Sequence, residues 1–213
     1  MKKDEKKKQQ AQIIYQRLVE TFPNAHCELI HTNPFELLIA TILSAQCTDK
    51  QVNKVTPNLF KKYPDPKSLS DAPIEEIEKI IQSTGFYKNK AKNIKACSLV
   101  LFEQYQNSVP DKMDQLTQLN GVGRKTANVV LGNAFNINVG VVVDTHVSRI
   151  SQKLKLTKNK TPEKIEEDLM KLFENHQWTQ LSHLLIFLGR SFCKARSPEC
   201  EKCPMNDLCP SSN

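Results

Sequence analysis

Apolar residues recur at three- and four-residue spacing along most of this chain, from Ala11 to about Gly189. That period marks helices with one buried face. It predicts ten helices, over 11–21, 34–43, 48–62, 73–83, 89–106, 112–118, 124–135, 144–154, 162–174 and 179–193. Start signals recur at fitting places: Asn33-Pro34, Pro73, Asp111 and Thr161-Pro162. The one strand-like run is Val139–Val143. No period of about 20–50 residues stands out, which argues against a solenoid. The fold class is all-α.

Composition narrows the picture. The 213 residues are 39% apolar and 25% charged, enough for a real core and unlike a disordered chain. That length allows one large domain or two small ones. No apolar run nears the ~18 residues of a membrane helix. The opening MKKDEKKKQQ leads into no apolar signal core, so a cytoplasmic, unsecreted protein is expected. Lys2–Lys8 reads as a disordered, solvated tail.

Charge and cysteine use point toward partners. A net charge of +7 suits a polyanion such as nucleic acid. Lys88, Lys90, Lys92 and Lys95 form one acid-free run, and Lys153, Lys155, Lys158 and Lys160 another. Each is either an ordinary solvated helix face or part of a basic face that meets phosphate. Seven cysteines cannot all pair, and four of them, Cys193, Cys200, Cys203 and Cys209, fall in the last 21 residues. In a reducing compartment such a cluster holds metal more often than bridges. The spacing x6, x2, x5 leaves structural zinc and a [4Fe–4S] cluster both open. Cys27, Cys47 and Cys97 read as small buried residues.

The segment LNGVGRKTA, Leu119–Ala127, lies between two short predicted helices. Gly121 and Gly123 permit positive φ and close approach of the backbone to another molecule. Val122 between them can turn inward and fasten the turn. The helix beginning at Arg124 offers free N–H groups and a positive dipole end. The pattern fits a helix–hairpin–helix, about 113–132, that grips a DNA backbone without reading sequence.

LNGVGRKTANVVL, VDTHVSRI at Val143–Ile150 and the four terminal cysteines closely resemble the endonuclease III family of DNA base-excision glycosylase/lyases. LIATILSAQCTDKQVN and STGFYKNKAKNIK resemble two further family segments, in the family's order. The resemblance covers about Asn33 to Cys209. It implies two helical domains, 27–136 with the hairpin, and 1–26 plus 137–213 with a [4Fe–4S] cluster on the four cysteines. It implies a bacterial-type, nucleoid-associated monomer. Its expected partner is double-stranded DNA containing oxidised pyrimidines or abasic sites.

By the same resemblance, Lys125 and Asp144 are the catalytic pair. A neutral lysine amine can attack the sugar C1′, expel the base and leave an imine that permits β-elimination of the 3′ phosphate. Ordinary lysine is neutral in only about one molecule in a thousand near pH 7.4. A nucleophilic lysine therefore needs desolvation or neighbouring positive charge, for which Arg124 and the helix dipole are candidates. On chemistry alone, Lys125 could instead pair with a phosphate. Asp144 suits an N-cap as well as a catalytic carboxylate, and the two roles are compatible. His146 reads as a supporting or phosphate contact.

The resemblance further assigns Gln46 to the space left by a flipped base and Phe86 to a wedge beside the opposite base. Phe86 departs from the leucine common in the family. Its alternative is a core aromatic next to Tyr87; for Gln46 the alternative is a helix C-cap. Related adenine glycosylases carry serine where Lys125 stands and glutamate where Thr41 stands, and thymine-excising relatives often carry tyrosine at the lysine position. Lys125 and Thr41 therefore favour a bifunctional glycosylase/lyase. The competing readings are a monofunctional relative and a non-enzymatic DNA-binding redox sensor.

Overall fold

The protein is described by a computed structural model over residues 3–212; Met1, Lys2 and Asn213 lie outside the described residues. Eleven α-helices are present among them: α1 Lys3–Thr21, α2 Pro34–Leu43, α3 Asp49–Lys62, α4 Pro66–Asp71, α5 Ile74–Ile81, α6 Tyr87–Tyr105, α7 Met113–Leu116, α8 Arg124–Ala134, α9 Thr145–Lys153, α10 Pro162–Leu172 and α11 Trp178–Ser191. Short 3₁₀ turns follow α5, precede α11 and shape the C-terminal loop. No strand occurs among the described residues, so the fold is all-α as expected. No helix there is long and apolar enough to cross a membrane.

Three expectations are corrected. The Val139–Val143 run is irregular chain, not strand. Val141, Val142 and Val143 are nonetheless buried, and the Val142 N–H is satisfied by Ser182 Oγ at 3.0 Å. A side-chain acceptor thus replaces the ladder that a strand would need. The lysine-rich tail, from Lys3 onward, is the first turns of α1 rather than a disordered end. Lysine and glutamine are good helix formers, and α1 is held further along by the buried Ala11, Ile14 and Leu18. Finally, the six-residue α4 has no counterpart in the predicted helices. It starts at a capping box, in which Asp65 accepts from Ser68 N and Ser68 Oγ receives the Asp65 N–H.

Contacts divide the chain into two compact units, Cys27–Ile137 and Met1–His26 with Asn138–Asn213. The first unit is built around α2, in which Phe35 and every residue from Leu37 to Leu43 is buried. Asn33 caps this helix by accepting from Glu36 N at 2.9 Å, and Pro34 at the first position costs no hydrogen bond. Helices α3, α6 and α8 pack on it, with α4 and α5 against α6.

The second unit gathers α1, α9, α10 and α11 around Ile14, Leu18, Val147, Ile150, Leu169 and Leu185. Gly189 of α11 permits the close crossing with α9. A Cβ there would stand 2.6 Å from His146 Nδ1 and 2.9 Å from Ile150 Cδ1.

Candidate functional site

In the first unit the turn between α7 and α8 is the glycine hairpin. Gly121 takes φ +78°, which favours glycine, and a Cβ there would press on Asn93 Cβ at 3.1 Å and Ile42 Cγ2 at 3.2 Å. Val122 is buried beneath the turn and donates its N–H to Leu119 O at 3.1 Å. Gly123 differs from the expectation of positive φ. Its backbone is extended, at φ −93° and ψ 176°, and a Cβ would meet nothing within 4 Å. What its missing side chain provides is open space over the first turn of α8. No side chain caps that helix, so its first N–H groups are offered outward. Arg124 and Lys125 are exposed on this turn.

Two further turns of the same unit present Gln46 and Phe86. Gln46 lies two residues past Ser44, the true C-cap of α2, so the C-cap alternative fails for it. It is exposed and left-handed at φ 52°. Phe86 is 71% exposed, which removes the core-aromatic alternative. It too is left-handed, at φ 48°, where a bulky residue is seldom found. Exposed aromatics held in an unfavourable backbone conformation are seldom there for packing.

The basic run around α6 is corrected in part. Lys88 and Lys92 are exposed, but Lys90 is buried and donates to Thr84 O at 2.7 Å. Lys95 donates to both Ser70 O and Ala72 O at 2.6 Å, completing the C-terminal end of α4. The run at Lys153, Lys155, Lys158 and Lys160 is exposed throughout.

In the second unit Asp144 caps α9, its Oδ1 accepting from Val147 N at 2.8 Å. The carboxylate is only partly covered and its second oxygen has no hydrogen bond among the described residues. His146, two residues on, is half-buried against Gly189, and Arg149 donates toward its Nδ1 at 3.3 Å. The same guanidinium donates to Cys193 O at 2.7 Å. Reading the sequence did not single out Arg149; its spacing of three from His146 is the only local signal.

Cys193, Cys200, Cys203 and Cys209 line one small hollow, open in part to solvent, with Phe192, Pro198 and Lys153. Burial pushes the Cys193 and Cys203 thiols above their ordinary range, and the other cysteines of the set add to the rise. Binding metal as thiolates therefore releases protons. Among the described residues no three His, Cys, Asp or Glu side chains converge as ligands of a single ion do. Four thiols around a hollow, with no imidazole or carboxylate in its lining, fit an iron–sulfur cluster. Of the remaining cysteines only Cys97 is fully buried, its thiol pushed up to about 12; Cys27 and Cys47 are half-buried, contrary to expectation.

Comparison with known proteins gives two family matches. Residues 39–175 match the HhH-GPD superfamily of base excision DNA repair proteins, and residues 193–209 match the iron–sulfur binding domain of endonuclease III. Endonuclease III of Synechocystis sp. is 50% identical over 212 residues, covering 100% of this chain and 97% of the relative. That of Bacillus subtilis is 46% identical over 201 residues, covering 94% and 91%. Among solved structures, a non-covalent endonuclease III–DNA complex superposes with a TM-score of 0.91 at 47% identity, covering 96% of each chain. A trapped endonuclease III–DNA covalent intermediate matches equally well.

Proposed function

Because this chain belongs to the endonuclease III family of base excision DNA repair enzymes, we propose that it is a monomeric, bifunctional glycosylase and abasic-site lyase that removes oxidised pyrimidines. Glycosylase/lyase chemistry and a [4Fe–4S] cluster come with membership. The lesion class and the roles of individual residues are the proposal.

The observation that carries it is Lys125. This lysine is exposed on the first turn of α8, directly behind the open Gly123, and has no hydrogen bond or ion pair among the described residues. Its amine is therefore open to a nucleic acid that approaches this turn. The hairpin N–H groups and Arg124 take the DNA phosphate, which sets the sugar near the amine. Gln46 and Phe86 enter the duplex where the damaged base leaves it.

The Lys125 nitrogen then attacks C1′, and the glycosidic electron pair departs with the base. Loss of a proton from the nitrogen and opening of the C1′–O4′ bond, with O4′ taking up a proton, convert this adduct to an iminium that acidifies the C2′ proton. Its loss expels the 3′ phosphate as the C3′–O bond breaks, and hydrolysis returns the lysine. Asp144 supplies negative charge to the oxocarbenium-like transition state and accepts the lysine proton. Its N-cap bond to Val147 holds the carboxylate in one orientation for that task. His146 supports α9 and contacts phosphate. Cys193, Cys200, Cys203 and Cys209 hold the cluster, which when bound cross-links the C-terminal loop through iron–thiolate bonds.

End analysis of a thymine-glycol duplex tests the reading. Base release with a 3′ unsaturated aldehyde end is expected. Release of the base with an intact strand would make the enzyme monofunctional.

A further inference from the structure

The turn that presents Phe86 is tied down by a residue that the catalytic scheme does not use. Lys90 is only 4% exposed, yet it carries an ammonium. Burial pulls its pKa below the ordinary lysine range, with Cys47 acting in the opposite sense. Among the described residues the single hydrogen bond of that ammonium is to Thr84 O at 2.7 Å. An apolar side chain of the same length would occupy this space at less cost in desolvation. The charge must therefore accomplish something packing does not.

Thr84 is held at both ends. Its hydroxyl donates to Ile81 O at 2.8 Å while its carbonyl receives Lys90. The next two residues, Gly85 at φ 69° and Phe86 at φ 48°, both occupy the left-handed half of backbone space. Such a pair persists only where its surroundings over-determine it. Phe86 O accepts the main-chain N–H groups of Asn89 and Lys90, both at 3.1 Å, so Lys90 brackets the wedge residue from two sides. The second inserting turn is linked to the same place. Gln51, in the first turn of α3, donates from Nε2 to Ser83 Oγ at 2.6 Å.

We propose that Lys90 is a positioning residue for lesion recognition, clamping Thr84 so that Phe86 stands ready for the duplex, with Gln51 as a second tether joining the Phe86 turn to that of Gln46. The inference rests on the proposed function, since it assigns Lys90 to the wedge of that same site.

A double-mutant cycle on the cluster-loaded protein tests it, reading equilibrium binding to a duplex with a reduced abasic site. Lys90→Met, which keeps the stem and removes the donor, is expected to weaken binding about tenfold, within the range one stacked aromatic supplies. In the Phe86→Ala background the same change should cost less than about twofold, because the clamp then has nothing to position. A full tenfold loss in both backgrounds, or none in either, overturns the role. Gln51→Ala, at a half-buried position, provides a second arm if Lys90→Met fails to fold. It is expected to weaken binding about threefold with Phe86 present and not measurably without it; equal losses in both backgrounds overturn the proposal. Absence of abasic-site binding by the unaltered protein would instead overturn the proposed function itself.

Discussion

The guanidinium of Arg149 donates to the main-chain oxygen of Cys193 at 2.7 Å, so the helix that Asp144 caps is fastened to the loop that carries the cluster cysteines. Both ends of that fastening lie in the unit whose core includes Val147, Ile150 and Leu188, with Cys193, Cys203 and Cys209 packed against it. Order in the cysteine loop is therefore expected to reach Asp144 through packed helix and one charge-assisted hydrogen bond.

Loss of the cluster should show this coupling. Cys203→Ser is expected to abolish stoichiometric iron and the absorption near 400 nm and to destabilise the unit that contains α9, because metal–thiolate bonds contribute folding free energy. The check is iron content together with amide exchange across 144–153. Stoichiometric zinc in the unaltered protein, or unchanged exchange in iron-free Cys203→Ser, would contradict the account.

Asp144 separates two roles within one side chain. Asparagine caps a helix about as well as aspartate, whereas alanine loses ~1 kcal/mol. Asp144→Asn should thus keep the melting temperature within a degree or two yet slow base excision by ~10²–10⁴. Its effect on a pre-formed abasic site should be smaller, because no glycosidic bond remains to break. Asp144→Ala should lose activity and about 1 kcal/mol of stability together.

The two hairpin glycines should respond differently. Gly121→Ala places a Cβ at φ +78° and against Asn93 and Ile42, and is expected to cost ~1–2 kcal/mol of stability. Gly123→Ala has an extended backbone and no neighbour within 4 Å, so its stability should be unchanged within about 0.5 kcal/mol. Its methyl group would stand where DNA approaches, and weaker duplex binding is expected. Denaturant melts and duplex titrations of the two variants measure the contrast.

These particulars show what the sequence made legible. The hairpin and the cysteine loop are contiguous motifs, so their residue types and spacing carry the chemistry directly. Long helices such as α2 and α10 follow from period and caps. The short α4 buries only Pro66, Leu69 and Ser70, too few apolar positions for a period to appear. Lys90 and Lys95 resembled their exposed neighbours because a sequence shows the charge and not the carbonyl that receives it. Val139–Val143 read as strand because burial without a ladder leaves the same apolar pattern.

A half-buried histidine gives the protein an acid limit. Burial, and secondarily the charge of His26, hold His183 down to about 4. The unfolded chain binds this proton below about 6.5, while the native state refuses it until about 4. The contribution is thus fully present above 6.5 and lost as pH falls toward 4. Between pH 7.5 and 5 it should amount to about 2 kcal/mol. Thermal melts of the unaltered protein should fall more steeply over that window than those of His183→Gln; parallel curves would refute the assignment.

Borohydride trapping tests the central claim, that Lys125 is the nucleophile. With borohydride present during reaction on thymine-glycol DNA, the imine should be reduced to a stable amine, giving a protein–DNA adduct that survives denaturing electrophoresis. Lys125→Gln should abolish both adduct and strand cleavage while still binding lesion DNA through the hairpin and Arg124. Persistence of the adduct in Lys125→Gln would move the nucleophile to another amine and contradict the account.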